Sequence, residues 1–437
     1  MTVCVYTLGC RLNQCESEAI ADSFVQEGFS VVGEREASDL YIVNTCTVTS
    51  KAEQKARRMI RKFATQGVTL ITGCYAQVNA DELIGLGDNL TVVPLSKKAQ
   101  LLKLASHIKA SLVAGFTLLE AVRSFNDVEA SPFDYAAASF SYHSRAYLKI
   151  QDGCDNSCAY CRVHIARGKA ISLDEATVVE RALALEAAGF QEIMLTGVNL
   201  TMYDHRGMGL GGLLEALLAQ LSSATRLRLS SMESDHIDER LLAVIGDPRI
   251  QPHFHIPIQS GSDRILARVD RHYTIDELRR ILERLRSAKD DPFIAADFIT
   301  GLPGEEEEDF LATRTLIAEE EFSSLHIFPF SPRPDTPLFT ASDRVAESVR
   351  DERAKELREM GRVLFNRYRS RQVGKRGEVI LQNRSGGAWY GVSGNYLDVK
   401  IDDPPAFGRE GMLVSGHFAP VIAKENRIGF IVDRPIP

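Results

Sequence analysis

The sequence has no apolar run that reaches the roughly 18 residues of a membrane-spanning helix. Its opening segment is also too short for the apolar region of a signal peptide and instead predicts a strand. We therefore expect a cytoplasmic protein with no membrane segment. In such a reducing compartment its eight cysteines bind metal more readily than they form disulfides.

An excess of positive charge is lacking as well. Asp and Glu number 59 against 51 Lys and Arg, and the net charge is −8 at pH 7. This balance disfavours a protein that coats nucleic acid over its whole surface. It does not exclude a local basic patch, because binding depends on where the charge is placed.

Length and residue pattern predict an α/β protein of about three domains. In residues 1–123, strand patterns at 3–8, 39–43 and 68–71 alternate with helical patterns at 16–27, 52–63 and 101–114. This alternation is typical of an open parallel sheet. Residues 124–143 are rich in Ala and Ser and predict a linker.

Residues 144–370 repeat the alternation. Six strand patterns lie at 147–150, 192–195, 226–229, 254–258, 294–299 and 325–328, with helical patterns such as 174–188 and 276–288 between them. Six such units predict a partial (β/α)6 barrel with its chemistry at the carboxyl ends of the strands. A charged helix at about 343–368 follows.

Residues 371–437 have a different texture. Short alternating runs at 378–381, 396–401, 412–415, 421–423 and 428–432 are separated by turns rich in Gly and Asn. They predict a small antiparallel β-barrel.

Three cysteines stand directly after the first strand of the predicted (β/α)6 barrel. Cys154, Cys158 and Cys161 form a C-x3-C-x2-C triplet. Three thiolates can hold three irons of a 4Fe–4S cube and leave the fourth iron open to a small molecule, whereas a cluster with four cysteines is closed and suits electron transfer. Zinc is the main alternative, but structural zinc sites usually use two spaced ligand pairs, and no second pair follows here.

A second set of cysteines recurs in one structural context. Cys10, Cys46 and Cys74 each follow the carboxyl end of a predicted parallel strand. Because these ends border the ligand crevice of an open α/β sheet, the three thiols are expected to meet there. The alternative is that they are ordinary buried cysteines. Cys4 is predicted to lie in the core, and Cys15 is ambiguous.

Motifs along the whole chain resemble those of the methylthiotransferases of the radical S-adenosylmethionine (SAM) superfamily. They are Thr7-Leu-Gly-Cys-Arg-Leu-Asn-Gln14, Asn44-Thr-Cys-Thr-Val-Thr49, Thr72-Gly-Cys-Tyr-Ala-Gln77, Gln151-Asp-Gly-Cys154 with Cys158 and Cys161, Arg167-Gly168, His255-Ile-Pro-Ile-Gln-Ser-Gly261 and Asp297-Phe-Ile-Thr-Gly-Leu-Pro-Gly-Glu305. Within this family the chain is most similar to the tRNA enzymes that act on N6-threonylcarbamoyladenosine beside the anticodon.

The resemblance implies a flavodoxin-like N-terminal domain, a radical-SAM barrel and a C-terminal RNA-binding TRAM domain. It implies two 4Fe–4S clusters, one on Cys154, Cys158 and Cys161 and an auxiliary one on Cys10, Cys46 and Cys74. It also implies that SAM both methylates sulfur at the auxiliary cluster and yields the radical that takes hydrogen from carbon 2 of adenine. The protein then orients the reactants and excludes water, and a reductant such as flavodoxin or ferredoxin supplies electrons.

Residues at the strand ends of the predicted (β/α)6 barrel are candidate SAM contacts, with ordinary rim structure as the alternative for each. They are Thr196, Gly197 and Asn199 for the methionine part, Glu233 and Gln259 for ribose or adenine, and Gly301 with Gly304 beside the adenine. His253 and His255 are predicted to be hydrogen-bonded rim residues rather than ligands. Two segments depart from the family pattern, Arg162-Val163-His164 and Lys169-Ala-Ile-Ser172, and both bear on the loop that meets substrate.

Candidate RNA contacts form three groups. The basic residues Arg367, Arg369, Arg371, Lys375 and Arg376 suit phosphates of a tRNA anticodon stem-loop. Trp389, Tyr390 and Tyr396 are candidates for stacking on unpaired bases, with core packing as the alternative. Lys51, Lys55, Arg58 and Lys62 have the spacing of one helix face, which either adds to the RNA surface or is simply solvated.

Other functions stay open at this point. Two related activities modify isopentenyladenosine in tRNA or an aspartate in a ribosomal protein. From a different class, an iron–sulfur RNA-binding sensor without turnover is the alternative. The open iron that the triplet predicts argues against a sensor, which has no use for a vacant coordination position.

Overall fold

The computed structural model describes residues 1–125, 130–135, 144–403, 405, 407–422 and 425–436. Most of the predicted linker at 124–143, and residue 423 of the predicted run at 421–423, lie outside these described residues. Among the described helices, none is both long and apolar enough to cross a membrane.

The N-terminal part is built on a parallel sheet. Its elements are β1 (Thr2–Thr7), α1 (Arg11–Gln26), β2 (Ser30–Val31), β3 (Leu40–Thr45), α2 (Ser50–Ala64), β4 (Val68–Gly73), α3 (Cys74–Val78), α4 (Ala80–Ile84), β5 (Leu90–Val92), a 3-10 helix (Leu95–Lys103), α5 (Leu104–Val113) and α6 (Leu118–Arg123). The strand order is β2-β1-β3-β4-β5, an order common in doubly wound sheets. The three predicted strands are present, but the short β2 and β5 were not predicted.

Alternate residues of these strands face two different cores, as the period of two in a strand requires. Val3 and Ile42 belong to a large core that also contains strand residues of the next part of the chain. Cys4 and Val43 face the opposite side and pack with residues of α2. The prediction that Cys4 lies in the core is confirmed, and the first two parts of the chain share one apolar interior.

The middle part contains six parallel β/α units. Its elements are β6 (Ala146–Lys149), β7 (Gln151–Asp152), α7 (Val163–Arg167), β8 (Ile171–Ser172), α8 (Glu175–Ala187), β9 (Glu192–Thr196), a 3-10 helix (Leu200–Met202), β10 (Asp204–His205), β11 (Met208–Gly209), α9 (Leu210–Gln220), β12 (Arg226–Leu229), a 3-10 helix (Ser234–His236), α10 (Glu239–Ile245), β13 (His253–Gln259), α11 (Asp263–Arg268), α12 (Ile275–Ala288), β14 (Phe293–Thr300), α13 (Glu307–Glu320), β15 (Ser324–Pro329), a 3-10 helix (Pro337–Thr340) and α14 (Glu347–Gln372).

The six long strands of this part form two parallel sheets, β12-β9-β6 and β13-β14-β15. Isolated parallel bridges, Leu227 with Ile250 and Ser231 with His255, join one sheet to the other. Each of the six predicted strands is present to within one residue of its predicted ends. The residues that the sequence analysis placed at the carboxyl ends of these strands therefore lie there in the structure.

The C-terminal part is a closed barrel of β16 (Arg376–Ser385), β17 (Ala388–Ser393), β18 (Asp398–Ile401), β19 (Leu413–Ile422) and β20 (Arg427–Pro435). The prediction of a wholly antiparallel barrel is wrong at one seam, because β18 and β20 pair in parallel. β19 lies between β16 and β20 and does not pair with β18, and β20, which is antiparallel to β19, runs in the same direction as β18. The strand β17 was not predicted, and the runs at 412–415 and 421–423 belong to one irregular strand.

A buried ionic network joins the N-terminal part to the middle part. Glu16 of α1 is fully buried and pairs with Lys98, with Lys149 at 2.8 Å and with Arg167 at 3.1 Å. Asp152 also binds Lys149 at 2.6 Å and Arg167 at 2.9 Å. Burial opposes ionisation of Glu16, but the three cations outweigh it and hold the pKa of this carboxyl well below its ordinary value. The Glu16 carboxyl is therefore ionised at neutral pH.

Replacing Glu16 by Gln should lower the free energy of unfolding by about 3–5 kcal/mol, because it leaves buried cations without their partner. Urea denaturation followed by circular dichroism measures this change. Glu34→Gln is the matched control on an exposed carboxylate, with an expected change within about 0.5 kcal/mol. Equal midpoints for the two variants would contradict the prediction.

Candidate functional site

One central cavity of about 830 Å³ lies where the three parts of the chain meet. Residues from all three parts line it. The six cysteines singled out in the sequence are all among the lining residues: Cys10, Cys46, Cys74, Cys154, Cys158 and Cys161. The two triads are far apart in sequence but open onto the same space.

Adjacent strands of the parallel sheet bring the first triad together. Cys10, Cys46 and Cys74 follow β1, β3 and β4, which are neighbours in the sheet. Asn13 ties two of the turns, because its Nδ2 donates to the carbonyls of Leu8 at 2.7 Å and Thr45 at 3.2 Å. The three cysteines therefore meet because each occupies the turn that follows a strand of the same open sheet.

Glycine is required at one of these turns. Gly73 has φ +99, and a Cβ there would lie 2.4 Å from the carbonyl oxygen of Thr45. Only glycine combines this left-handed backbone with so close an approach. The turn consequently brings Cys74 against the neighbouring strand end.

Burial governs the ionisation of two thiols of the first triad, those of Cys46 and Cys74. It raises the pKa of Cys46 to about 12, and the neighbouring Cys10 and Cys74 add to this. Burial also raises the pKa of Cys74, although Arg167 opposes it. Without a metal, the thiols of Cys46 and Cys74 are protonated at neutral pH, so metal binding there must displace their protons.

A tight loop after β7 carries the second triad. The Cys154 N–H donates to the carbonyl of Gly168 at 3.0 Å, and the Cys161 N–H donates to that of Cys158 at 2.9 Å. The Val163 N–H donates to the Cys161 Sγ at 3.3 Å, a hydrogen bond of the kind that tunes cluster sulfur ligands. Burial raises the pKa of Cys154 to about 11 and that of Cys161 to about 12.

Arg271 is a functional candidate that the sequence analysis missed. Its Nη1 donates to the Cys158 Sγ at 3.6 Å and to Glu233 Oε1 at 2.9 Å. Burial raises the pKa of Glu233, and Arg271 offsets this only in part. Arg271 follows α11 in an ordinary loop with no motif around it, so only the fold reveals its place beside the second triad.

The spacing of the sulfurs separates a cluster from a single ion. Within the described ranges, neither triad brings three ligand atoms within 4.8 Å of one another. A tetrahedral zinc with Zn–S bonds of about 2.3 Å needs sulfurs only about 3.8 Å apart. The wider spacing fits a larger group such as a 4Fe–4S cube.

Four of the candidate SAM contacts line the cavity: Gly197, Asn199, Glu233 and Gln259. Asn199 Nδ2 is buried with no hydrogen-bond partner in the described part of the chain, so it is available to a ligand. Gln151 Oε1 shapes this corner by accepting from the N–H groups of Val198 at 2.9 Å and Asn199 at 3.1 Å.

The remaining candidates lie elsewhere. Thr196 is fully buried in the sheet and is absent from the cavity lining described here. Gly301 has φ +68 and packs against Arg350, whose Cγ would be 1.9 Å from an added Cβ. It is therefore α14, rather than the central cavity, that requires the glycine at this position.

Histidines form a second feature of the cavity. Asp297 Oδ1 lies 2.6 Å from His255 Nε2 and 2.8 Å from His326 Nδ1. Burial opposes ionisation of Asp297, but the two histidines hold its pKa below the ordinary value. The prediction that His253 is hydrogen-bonded is wrong at its Nδ1, which is buried and has no partner among the described residues. The ring packs instead against the rings of Phe293 and Tyr396.

The segment Arg162-Val163-His164 connects the cysteine loop to the N-terminal part. Arg162 is buried, and its guanidinium donates to Asn79 at 2.8 Å and to Asp335 at 2.7 Å. The departure from the family pattern at this position thus supplies a contact between parts of the chain.

The predicted basic cluster at 367–376 is largely paired. Arg367 pairs with Glu321, Arg371 and Lys375 with Asp291, and Arg376 with Asp433, at 2.7–3.1 Å. Arg369 is buried beside the ring of Phe365. These side chains do not form a patch of free positive charge.

The three aromatic candidates have separate environments. Trp389 is buried in the core of the C-terminal barrel, and the ring of Tyr390 contacts Arg427. Tyr396 instead lines the central cavity. On α2, by contrast, Lys51, Lys55, Arg58 and Lys62 are all exposed.

Comparison with known proteins agrees with this architecture. Residues 2–93 match the Uncharacterized protein family UPF0004, and residues 148–317 match the Radical SAM superfamily. The radical SAM match implies a 4Fe–4S cluster and SAM. Among solved structures, the radical S-adenosylmethionine methyltransferase TsrM from Kitasatospora setae has a TM-score of 0.54 at 14% identity over 77% of each chain, which shows likeness of fold alone.

Curated relatives are much more similar. The threonylcarbamoyladenosine tRNA methylthiotransferase MtaB of Treponema pallidum is 36% identical, over 84% of this chain and 88% of the relative. The proteins of the same name from Thermotoga maritima and Bacillus subtilis are 35% and 33% identical, over 90% and 91% of this chain and 88% and 90% of theirs. The chain therefore belongs to this family of methylthiotransferases within the radical SAM superfamily.

Proposed function

We propose that this enzyme transfers a methylthio group to carbon 2 of N6-threonylcarbamoyladenosine beside the anticodon of tRNA. The observation that carries the proposal is the opening of two cysteine triads onto one cavity. The curated relatives, which are named for this activity, support the substrate. The domains would be a flavodoxin-like domain (1–123), a partial (β/α)6 radical-SAM barrel (144–370) and a TRAM domain (371–437).

Two 4Fe–4S clusters fit these residues. Cys154, Cys158 and Cys161 would hold one cluster with an iron left for SAM, and Cys10, Cys46 and Cys74 would hold the other. When bound, the clusters and SAM supply the radical and the methylated sulfur. A soluble reductant such as flavodoxin or ferredoxin would supply electrons.

The chain itself binds and orients the reactants. Asn199 offers a buried donor with no partner in the described structure, and Glu233 holds Arg271 beside Cys158. The walls of the central cavity would shield the reacting groups from bulk water. Thr196 and Gly301 are not among the residues that line the cavity. They would influence SAM binding only indirectly, by fixing the backbone position of neighbouring residues.

For tRNA, α2 is a better surface than residues 367–376. Lys51, Lys55, Arg58 and Lys62 form the α2 stripe, and none of them makes an ion pair with a described residue. Lys55 lies over the ring of Tyr6 and Lys62 over that of Phe63. The segment just before α2 reaches the central cavity through Val48. An RNA on this helix would therefore lie close to the cavity entrance. The exposed ion pairs at 367–376 are worth little individually, so phosphate could replace their carboxylate partners as a secondary contact.

Iron content tests the two-cluster arrangement. Anaerobically reconstituted protein should hold about eight irons, and replacing either triad by Ala should leave about four. Only loss of Cys154, Cys158 and Cys161 should also abolish binding of SAM, measured as a change in the electron paramagnetic resonance signal of the reduced protein. Cys4→Ala is the control. Four irons in the wild-type protein would exclude the second cluster.

Analysis of tRNA nucleosides tests the substrate. Mass spectrometry of a deletion strain should show loss of 2-methylthio-N6-threonylcarbamoyladenosine and accumulation of its unmodified precursor. The native gene should restore the product, and the gene with all three triplet cysteines replaced should not. Loss of the methylthio mark from isopentenyladenosine or from a ribosomal aspartate instead would transfer the assignment to those substrates. No change in any of the three would favour the sensor.

The α2 stripe can be tested by salt dependence. Replacing Lys51, Lys55, Arg58 and Lys62 by Gln should weaken tRNA binding at least about tenfold and reduce the slope of log K against log salt, because each lost phosphate contact removes about 0.7–0.9 from it. Arg367→Gln with Arg371→Gln is the comparison variant, with a smaller expected effect. An unchanged slope in the α2 variant would exclude this helix from the interface.

A further inference from the structure

We propose that Arg11, with Tyr396 and His253, forms an anion subsite in the central cavity that binds the carboxylate of the substrate's threonyl group. The inference rests on the proposed function and deepens it, because it names the residues that would distinguish a charged adenine substituent from a neutral one.

The charge of Arg11 is uncompensated. Its guanidinium donates to the neutral acceptors Gln14 Oε1, at 3.1 Å, and Tyr396 Oη, and no described carboxylate lies within ion-pair distance. The other two arginines of the cavity lining are already paired, Arg167 with Glu16 and Asp152 and Arg271 with Glu233. Arg11 is therefore the guanidinium of the described lining that is ready to receive an anion.

The surroundings strengthen the positive field at this corner. Three guanidinium groups surround the ring of Tyr396. The distance from Cζ to the ring centroid is 5.7 Å for Arg11 and for Arg145 and 5.1 Å for Arg228. Glu192 pairs with Arg228 at 2.7 Å and with Arg145 at 3.5 Å. Arg145 and Arg228 thus share one carboxylate, whereas Arg11 pairs with none of the described carboxylates, and a second anion would restore the balance.

A further donor is available from His253. Its ring lies 4.2 Å from that of Tyr396, and the buried Nδ1 makes no hydrogen bond within the described residues. Burial and the neighbouring arginines hold the pKa of His253 well below its ordinary value, so the ring is neutral and can donate one N–H. An unpartnered buried nitrogen is costly unless a ligand satisfies it.

This arrangement matches the chemistry of the substituent. The threonylcarbamoyl group carries a carboxylate, which a guanidinium and an N–H donor bind by charge-assisted hydrogen bonds. An isopentenyl group is neutral and would desolvate the same cations without compensation, which disfavours it. Because Arg11 directly follows Cys10, the carboxylate would be held beside the first triad.

The experiment compares reconstituted wild-type protein, Arg11→Met, Arg11→Lys and the control Arg35→Met, whose arginine is exposed and outside the cavity lining. Each acts on tRNA with N6-threonylcarbamoyladenosine and on the same tRNA with the threonyl carboxylate converted to its methyl ester. Arg11→Met should lower kcat/KM on the acid by about 10- to 100-fold. Arg11→Lys should have a smaller decrease in kcat/KM, and Arg35→Met should have the kcat/KM of the wild-type protein.

The ester separates recognition from a structural effect. It should lower kcat/KM of the wild-type protein by a similar factor, and Arg11→Met should lose little more on the ester, because the two changes remove one interaction. Iron content should match the wild type in every variant. Equal losses of Arg11→Met on acid and ester, or no loss on the acid, would overturn the subsite. Wild-type protein that modifies neither substrate would overturn the proposed function itself.

Discussion

The architecture depends on the burial of Glu16 among three cations. Taking a charged group out of water costs several kcal/mol, and only close pairing offsets this cost. The partners come from separate elements: Lys98 from a 3-10 helix, Lys149 from β6 and Arg167 from α7. Since α1 begins directly after Cys10 and α7 closely follows Cys161, the same pairing fixes one cysteine triad relative to the other. Two sites built on different sheets consequently share one cavity.

The C-terminal barrel is attached by comparable contacts. Arg226 pairs with Glu378 at 2.6 Å, and Arg228 Nη1 donates to the carbonyl of Gly394 at 2.8 Å. Arg228 also belongs to the cationic corner around Tyr396. The barrel therefore contributes Tyr396 to the wall of the central cavity, in addition to the RNA binding that the sequence predicts for it.

Much of the fold could be predicted because it follows from local pattern. The strands at 226–229 and 254–258 are short apolar or alternating runs bounded by turns, and their burial leaves little freedom of register. The triads were also visible, because Cys154, Cys158 and Cys161 are close in sequence and Cys10, Cys46 and Cys74 repeat one position relative to a strand.

The remaining features depend on contacts between distant residues. The basic residues at 367–376 look like a patch in sequence because their partners, such as Asp291 and Glu321, lie far away along the chain. The absence of a carboxylate partner for Arg11 among the described residues and the contact of Tyr396 with Arg11 could not be predicted from the sequence either. Both depend on which residues become neighbours in the folded chain. The parallel pairing of β18 with β20 depends on which strands become neighbours in the closed barrel, and the alternation of residues along one strand contains no information about that.

Firm attachment of the C-terminal barrel has a geometric consequence. A domain on a flexible linker would allow a bound RNA to vary its distance from the central cavity. The C-terminal barrel is instead held by a hydrogen bond and an ion pair to β12, which contributes to the cavity wall. An RNA bound to the outer face of the barrel would therefore be held at a fixed distance from the central cavity. A nucleotide at the matching distance along the RNA would reach the cavity, so that distance would select its position in addition to contacts with the base.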